Sequence, residues 1–237
     1  MLAPKSDFIG LEGITHLATG GKPPLLKSHR EAFEEFAGDK ACGFGGYRAH
    51  WAVGDDVRGQ LVAMTGLAAN DFALLGSASA GIASVLSSIN WRSGDNVVTS
   101  SLEYASGRYA FARLAGLEVE TRLVEPAGWQ VELDGLIAAC NARTRIVYVS
   151  QVSYLTGQAL DIATLSAALR PDGIALLVDV SHAPAGLPTS SCALAINGCS
   201  ALIPEYSPGT RQAGPISSRF TSAGIRPHKD QRRLPIG

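Results

Sequence analysis

A chain of 237 residues is long enough for one sizeable hydrophobic core. Its 46% hydrophobic and 17% charged residues exclude a disordered protein, and a net charge of −1 excludes a strong electrostatic pull toward nucleic acid or a membrane surface. With 26 glycines and few aromatic residues, the composition suits an α/β protein with many tight turns.

The chain opens on Met1-Leu2-Ala3-Pro4-Lys5-Ser6-Asp7, which lacks the apolar core of a secretory signal. Gly and Pro between His16 and Pro24 mark a loop. A helix is predicted from Ser28 to about Ala37, with Ser28 as N-cap and Glu31 completing a capping box. Gly43 to Gly46 reads as a flexible break. Val57, Leu61, Met64 and Leu67 recur at helical spacing, so Gly54 to Leu67 is predicted to be a core-facing helix.

From there strands and helices alternate. Strands are predicted at Phe72–Leu75, Asn96–Thr99, Glu118–Leu123, Arg145–Val149 and Ile174–Asp179. Helices are predicted between and around them at Ala80–Ile89, Gly107–Ala115, Leu133–Cys140 and Asp161–Leu169. This rhythm predicts an α/β three-layer sandwich, a mostly parallel sheet covered by helices. Past about Gly186 the periodicity stops, and Ser, Pro, Gly and Arg dominate from Thr189 to Gly237. The predicted organisation is an N-terminal segment over 1–59, a large α/β domain over 60–187 and an irregular tail over 188–237.

The four cysteines, Cys42, Cys140, Cys192 and Cys199, form no CxxC pair and have no metal-like spacing. No apolar run is long enough to cross a bilayer. The expectation is a cytoplasmic protein with free thiols.

Four segments at predicted strand ends carry candidate chemistry, because ligands of open α/β sheets bind at the carboxyl ends of strands. Gly76-Ser77-Ala78-Ser79-Ala80-Gly81 joins a strand to a helix, and its small residues let unpaired N–H groups approach an anion, although a simple tight turn has the same composition. Ser101-Leu102-Glu103-Tyr104-Ala105-Ser106 offers Tyr104 as a ring to stack on a planar group, or as an ordinary half-buried tyrosine. Gln151, Ser153 and Tyr154 follow the strand that ends at Val149. Asp179 closes an apolar strand, with Ser181 and His182 just beyond. An acid there needs a partner, either a protonated ring nitrogen or a helix N-terminus to cap. Arg48, His50 and Trp51 are weaker pocket candidates. His29 and Arg58 read as helix surface, and Arg143 and Arg145 as solvated.

Taken in this order, the segments resemble the class V aminotransferases and cysteine desulfurases, pyridoxal-phosphate enzymes of fold type I. The resemblance runs from about His16 to about Leu187. Ser77-Ala78-Ser79-Ala80-Gly81 resembles the family's phosphate-holding turn, which implies that Ala78 and Ser79 bind the cofactor phosphate. Glu103-Tyr104-Ala105-Ser106 resembles the segment that places a side chain over the pyridine ring, here Tyr104. Gln151 to Gly157 resembles the His-Val-Ser-Asn-x-x-Gly segment, with Ser153 and Tyr154 at the cofactor. Val178-Asp179-Val180-Ser181-His182 matches Val-Asp-x-Ser-His in full, which implies Asp179 on the pyridine nitrogen and His182 on the ring's phenolic oxygen. The resemblance further implies pyridoxal 5'-phosphate as cofactor, a small amino compound as substrate, and homodimers with active sites built between subunits.

The family's Schiff-base lysine stands about 20 residues after that aspartate. The chain has Lys5, Lys22, Lys27, Lys40 and Lys229, none at that position. Read from the third base of each codon, Leu194 to Ala201 permits a Tyr-Lys-Trp-Leu-Leu-Gly-like sequence similar to the family's lysine region. The expectation is a reading-frame shift near Ala183–Pro188, a chain inactive as written, and weak cofactor retention. Residues 60–187 are then an incomplete cofactor-binding large domain. Its first strand is expected to lack the ladder partners that later strands supply, leaving open edges and a marginal fold. Two other readings stay open: a non-catalytic scaffold that binds a partner through its basic tail, and an unrelated nucleotide-binding domain, for which no GxGxxG or P-loop is present.

Overall fold

The computed structural model describes residues 4–18 and 23–183, together with the backbone of 193–196 and 199–201. Most of the predicted tail, 188–237, and the lysines Lys22 and Lys229 lie outside the described residues.

Helices α1 (Lys27–Ala41) and α2 (Phe44–Thr65) form a hairpin. The helix begins earlier than its Ser and Glu pattern suggests. Leu26 is the N-cap, and its N–H donates to Nδ1 of His29 at 3.3 Å. Ser28 and Glu31 therefore lie inside the first turns rather than forming a capping box. The predicted glycine break is a two-residue corner: Gly43 turns the chain at φ 57, and Gly45 and Gly46 are already helical. Gly46 is there for contact, since a Cβ on it would run into the backbone of Asp39. Only a residue without a side chain lets the two helices approach this closely.

A seven-stranded sheet follows, in the order β1-β7-β6-β5-β4-β2-β3. The strands are β1 (Phe72–Leu74), β2 (Asn96–Ser100), β3 (Glu120–Val124), β4 (Thr144–Ser150), β5 (Ala175–Asp179), β6 (Ala193–Ile196) and β7 (Cys199–Ala201). β3, β2, β4, β5 and β6 run parallel, whereas β7 is antiparallel to both β6 and β1. The mostly parallel sheet is thus as expected. β2 and most of β4 are buried on both faces, which is why Val97-Val98 and Ile146-Val147-Tyr148-Val149 run on without polar alternation.

Helices cover both faces. On one, α3 (Ala78–Ser88) and α4 (Ala105–Ala112) bury Ile82, Leu86 and Phe111 against Val97, Ile146, Tyr148 and Leu177. On the other, α2, α5 (Leu133–Ala138) and α6 (Ile162–Leu169) bury Leu61, Leu136, Ile162 and Leu165 against Val98, Val147, Val149 and Val178. Asp161 caps α6, its Oδ1 accepting the N–H of Thr164 at 3.0 Å.

Other boundaries shift for local reasons. α4 runs into a 3-10 turn, Arg113–Leu117, and Glu118 takes the left-handed conformation at φ 57. A residue in that conformation cannot continue a strand, so β3 starts at Glu120 and not at Glu118. Arg143 and Arg145 are not simply solvated. Both approach the buried Asp95, with N···O distances of 3.8 and 3.1 Å.

The largest difference lies after Asp179. Two strands, β6 and β7, form within the stretch predicted to be irregular. Phe72, expected to lack a ladder partner, pairs with Ala201 across β1 and β7. Among the described residues no helix is long and apolar enough to cross a membrane.

Candidate functional site

Strands β1, β2, β4 and β5 point the same way, so their carboxyl ends share one edge of the sheet. The chain leaves that edge through Leu75–Ser77, Ser101–Tyr104, Gln151–Gly157 and Val180–Ala183. These are the segments singled out from the sequence.

Asp179 sits at the centre of the arrangement and is only 7% exposed. A carboxylate buried to that extent needs donors. The N–H of Ser181 donates to its Oδ1 at 2.8 Å, and the hydroxyl of Tyr148 to its Oδ2 at 3.3 Å. No helix begins behind it among the described residues, so it does not cap one. Register explains the tyrosine: Tyr148 lies beside Leu177 and Ser150 beside Asp179, which puts Tyr148, Ser150 and Asp179 on one face of neighbouring strands.

A second carboxylate stands close by. Glu103, also 7% exposed, directs both oxygens at Ser150. The Ser150 N–H donates to Oε1 at 2.7 Å and the Ser150 hydroxyl to Oε2 at 2.6 Å. Burial pushes the Glu103 carboxyl above its ordinary range; the two bonds from Ser150 oppose that, and the charge of Asp179 adds to it. Burial, followed by the charges of Asp179 and Glu103, drives the Tyr148 phenol far above its usual value. Tyr148 is therefore a hydrogen-bond donor throughout the ordinary pH range.

The predicted aromatic residues come together at the solvent side of this cluster. Tyr104 and Tyr154 meet edge to face, with ring centroids 5.0 Å apart at 88°. Tyr154 also lies 6.5 Å from the His182 ring. Ser153 is drawn into its own turn, where its hydroxyl accepts the N–H groups of Leu155 and Thr156. At the other end of the site α3 packs on β6 and β7. Ser77 caps it, accepting the Ala80 N–H at 3.2 Å. Ala78 and Ser79 occupy the first two positions of the helix, whose N–H groups have no partner within it.

His50 and Trp51 lie elsewhere, on α2. With Tyr47, Gly54 and Arg58 they line an open cleft of about 260 Å³. His50 stacks on Phe36 at 4.5 Å, and Arg58 pairs with Asp55 at 2.9 Å.

The non-covalent half of a pyridoxal-phosphate site fits these residues: a buried acid, an aromatic surface beside it, and free amide donors at a helix N-terminus. The covalent half does not. Among the described residues, Lys5 lies in the 3-10 turn Lys5–Asp7, and Lys27 and Lys40 lie in α1; none stands on the strand ends. Two buried polar residues were not assigned roles from the sequence, Tyr148 and Glu103. The readable signal was a phenol in an otherwise apolar strand and an acid beside Tyr104.

The curated relative isopenicillin N epimerase from Streptomyces clavuligerus is 30% identical over 189 residues, covering 72% of this chain and 45% of its own length. Solved structures share the fold. A mutant of C-DES with glycine covalently linked to its pyridoxal-phosphate cofactor superposes with a TM-score of 0.74 at 19% identity, over 86% of this chain and 60% of that one. The cysteine desulfurase CsdA from Escherichia coli gives 0.70 at 16% identity, over 85% and 57%. The chain thus spans less than half the length of that curated relative. The family model for class-V aminotransferases matches residues 67–195, more than half of the chain, and includes every strand end described above. The chain belongs to the class-V aminotransferase family.

Proposed function

We propose that the strand-end cluster is a pyridoxal-phosphate site of a class-V aminotransferase-like protein acting on amino acids or related amines, and that the chain as written is catalytically inactive. The observation that carries this reading is Asp179: a carboxylate buried at a parallel strand's carboxyl end, held by Ser181 and Tyr148, with no lysine on the neighbouring strand ends among the described residues. When bound, pyridoxal phosphate supplies the electron sink that labilises bonds at an amino-bearing carbon.

The residues of the chain have separate tasks in this reading. Asp179 would hold the proton on the ring nitrogen. Tyr104 and Tyr154 would cover the ring and exclude water. His182 would meet the ring's phenolic oxygen, Ser153 shapes its own loop, and the N–H groups of Ala78 and Ser79 would receive the phosphate. Among the described residues no amine is positioned at the site, so the cofactor would be held by these contacts alone. We read the missing lysine as lost through a frame shift near Ala183–Pro188, a reading supported by the codons that Leu194 to Ala201 allow.

Titration of the chain with pyridoxal phosphate tests the site. The expected result is saturable binding that dialysis reverses, with no label retained after borohydride. Failure to bind overturns the cofactor reading. Borohydride trapping of the cofactor on a lysine, or turnover of an amino acid, overturns the inactivity. The gene sequence from the Asp179 codon onward tests the shift: one or two added or deleted bases should restore a lysine, and a stop or Gln codon in its place overturns it.

A further inference from the structure

From the buried contact on the far side of Asp179 we infer that Tyr148 is a positioning residue, one that holds the Asp179 carboxylate in the orientation needed to receive a protonated ring nitrogen. The inference rests on the reading of the strand ends as a pyridoxal-phosphate site. It goes beyond that reading by assigning a role to a side chain that the cofactor itself does not touch.

Three observations support it. First, Tyr148 is fully buried, and its hydroxyl reaches Asp179 Oδ2 while Ser181 takes Oδ1. One donor on each oxygen fixes the plane of the carboxylate and leaves each oxygen a further lone pair for a ligand.

Second, the phenol is itself held from several sides. Its ring packs edge-on to Phe111 with centroids 5.1 Å apart, and its Cε1 edge lies against the bare backbone of Gly107. Thr99 pins its main chain, donating to the Tyr148 carbonyl at 2.8 Å. A donor fixed in this way costs little to order when the ligand arrives.

Third, Asp179 has a buried acidic neighbour in Glu103, which spends both oxygens on Ser150. Glu103 therefore offers Asp179 no donor. Among the described residues, Ser181 and Tyr148 are the groups that donate to this carboxylate before any ligand binds. The site is preorganised for a cation at the position of the ring nitrogen.

The experiment uses two ligands that cannot react with an amine: 4'-deoxypyridoxine 5'-phosphate and its analogue with the ring nitrogen replaced by C–H. Binding of both to the full chain is measured by calorimetry for the unsubstituted protein, Tyr148→Phe, Asp179→Asn and the double variant. Tyr148→Phe should weaken the nitrogen-bearing ligand by about two- to tenfold, the range of a single net hydrogen bond, and leave the carbocyclic ligand unchanged. In the Asp179→Asn background it should add nothing, because the two groups act as a unit. Incorporation of 4-fluorophenylalanine at position 148 fills the space of the hydroxyl and repeats the test if Tyr148→Phe folds poorly.

Equal weakening of both ligands, no weakening of either, or additivity with Asp179→Asn overturns the positioning role and leaves the site intact. If neither ligand binds the unsubstituted chain, the cofactor site itself falls, and the inference with it.

Discussion

Gly107 of α4 and Tyr148 of β4 touch so closely that a Cβ on the glycine would lie 2.5 Å from Cε1 of the ring. The contact explains a glycine inside a helix, where it would otherwise be unfavourable. Gly107→Ala should gain about 1 kcal/mol of helix propensity. It should lose more through overpacking, because the ring is fully buried and also packs on Phe111, and overpacking typically costs about 1–3 kcal/mol. The expected outcome is a lower urea midpoint at unchanged slope. A stabilised variant would show that the ring moves aside at no cost.

Glu103 makes the stability of the chain depend on pH. Its carboxyl is raised above its ordinary 4.5 chiefly by burial, so the folded state holds the proton more tightly than the unfolded state. The contribution is then fully favourable below pH 4.5 and is lost as pH rises through the folded-state value. Glu103→Gln keeps an acceptor for the Ser150 N–H and places an amide donor toward the Ser150 hydroxyl. The difference in unfolding free energy between Glu103→Gln and the unsubstituted protein should shift in favour of the variant as pH increases from 4 to 8. A difference that is flat with pH would mean that Glu103 is not raised.

Asp95 ties the start of β2 to β4. It is 3% exposed, accepts the Arg92 N–H at 2.9 Å, and faces Arg145 and Arg143. Asp95→Ala leaves that N–H without its acceptor and should destabilise the protein by about 2–3 kcal/mol. Asp95→Asn retains the acceptor and gives up only the charge, much of whose attraction solvent already screens at the half-exposed arginines. Thermal melts should rank the unsubstituted protein above Asp95→Asn, and Asp95→Asn above Asp95→Ala. Equal losses for the two variants would assign the whole effect to the ion pairs.

How legible these features were depended on how local their causes are. β2, β4 and β5 could be read because runs such as Ile146-Val147-Tyr148-Val149 are buried on both faces and bounded by polar residues. The start of α2 was misplaced because three glycines over four positions look like a hinge. The reason Gly46 is tolerated lies on another helix, at Asp39, and leaves no mark in the neighbouring sequence. The end of the 3-10 turn at Glu118 was hidden in the same way, since a left-handed non-glycine residue has no sequence signature strong enough to stop a strand prediction.

The site divides along the same line. Tyr104, Tyr154 and His182 were chosen from segments that each carry their own pattern, and the fold brings their rings together. Tyr148 was passed over because its partner Asp179 belongs to a different strand, and only the β4–β5 register makes them neighbours. The task of Glu103 has no mark in its own segment, because it is set by the end of β4. The strands β6 and β7 were missed because, at four and three residues, they are too short to show a period.

The pairing of Phe72–Leu74 with Cys199–Ala201 sets a timetable for the molecule. More than half of the chain separates the two, so a nascent polypeptide that has delivered its first helices and strand must wait for residue 201 before that strand finds a backbone partner. Closing so wide a loop comes late, after the local βα units have formed. Pulse-labelled amides of β1 should accordingly become protected last, and a ribosome stalled before residue 199 should hold a sheet open between β1 and β5.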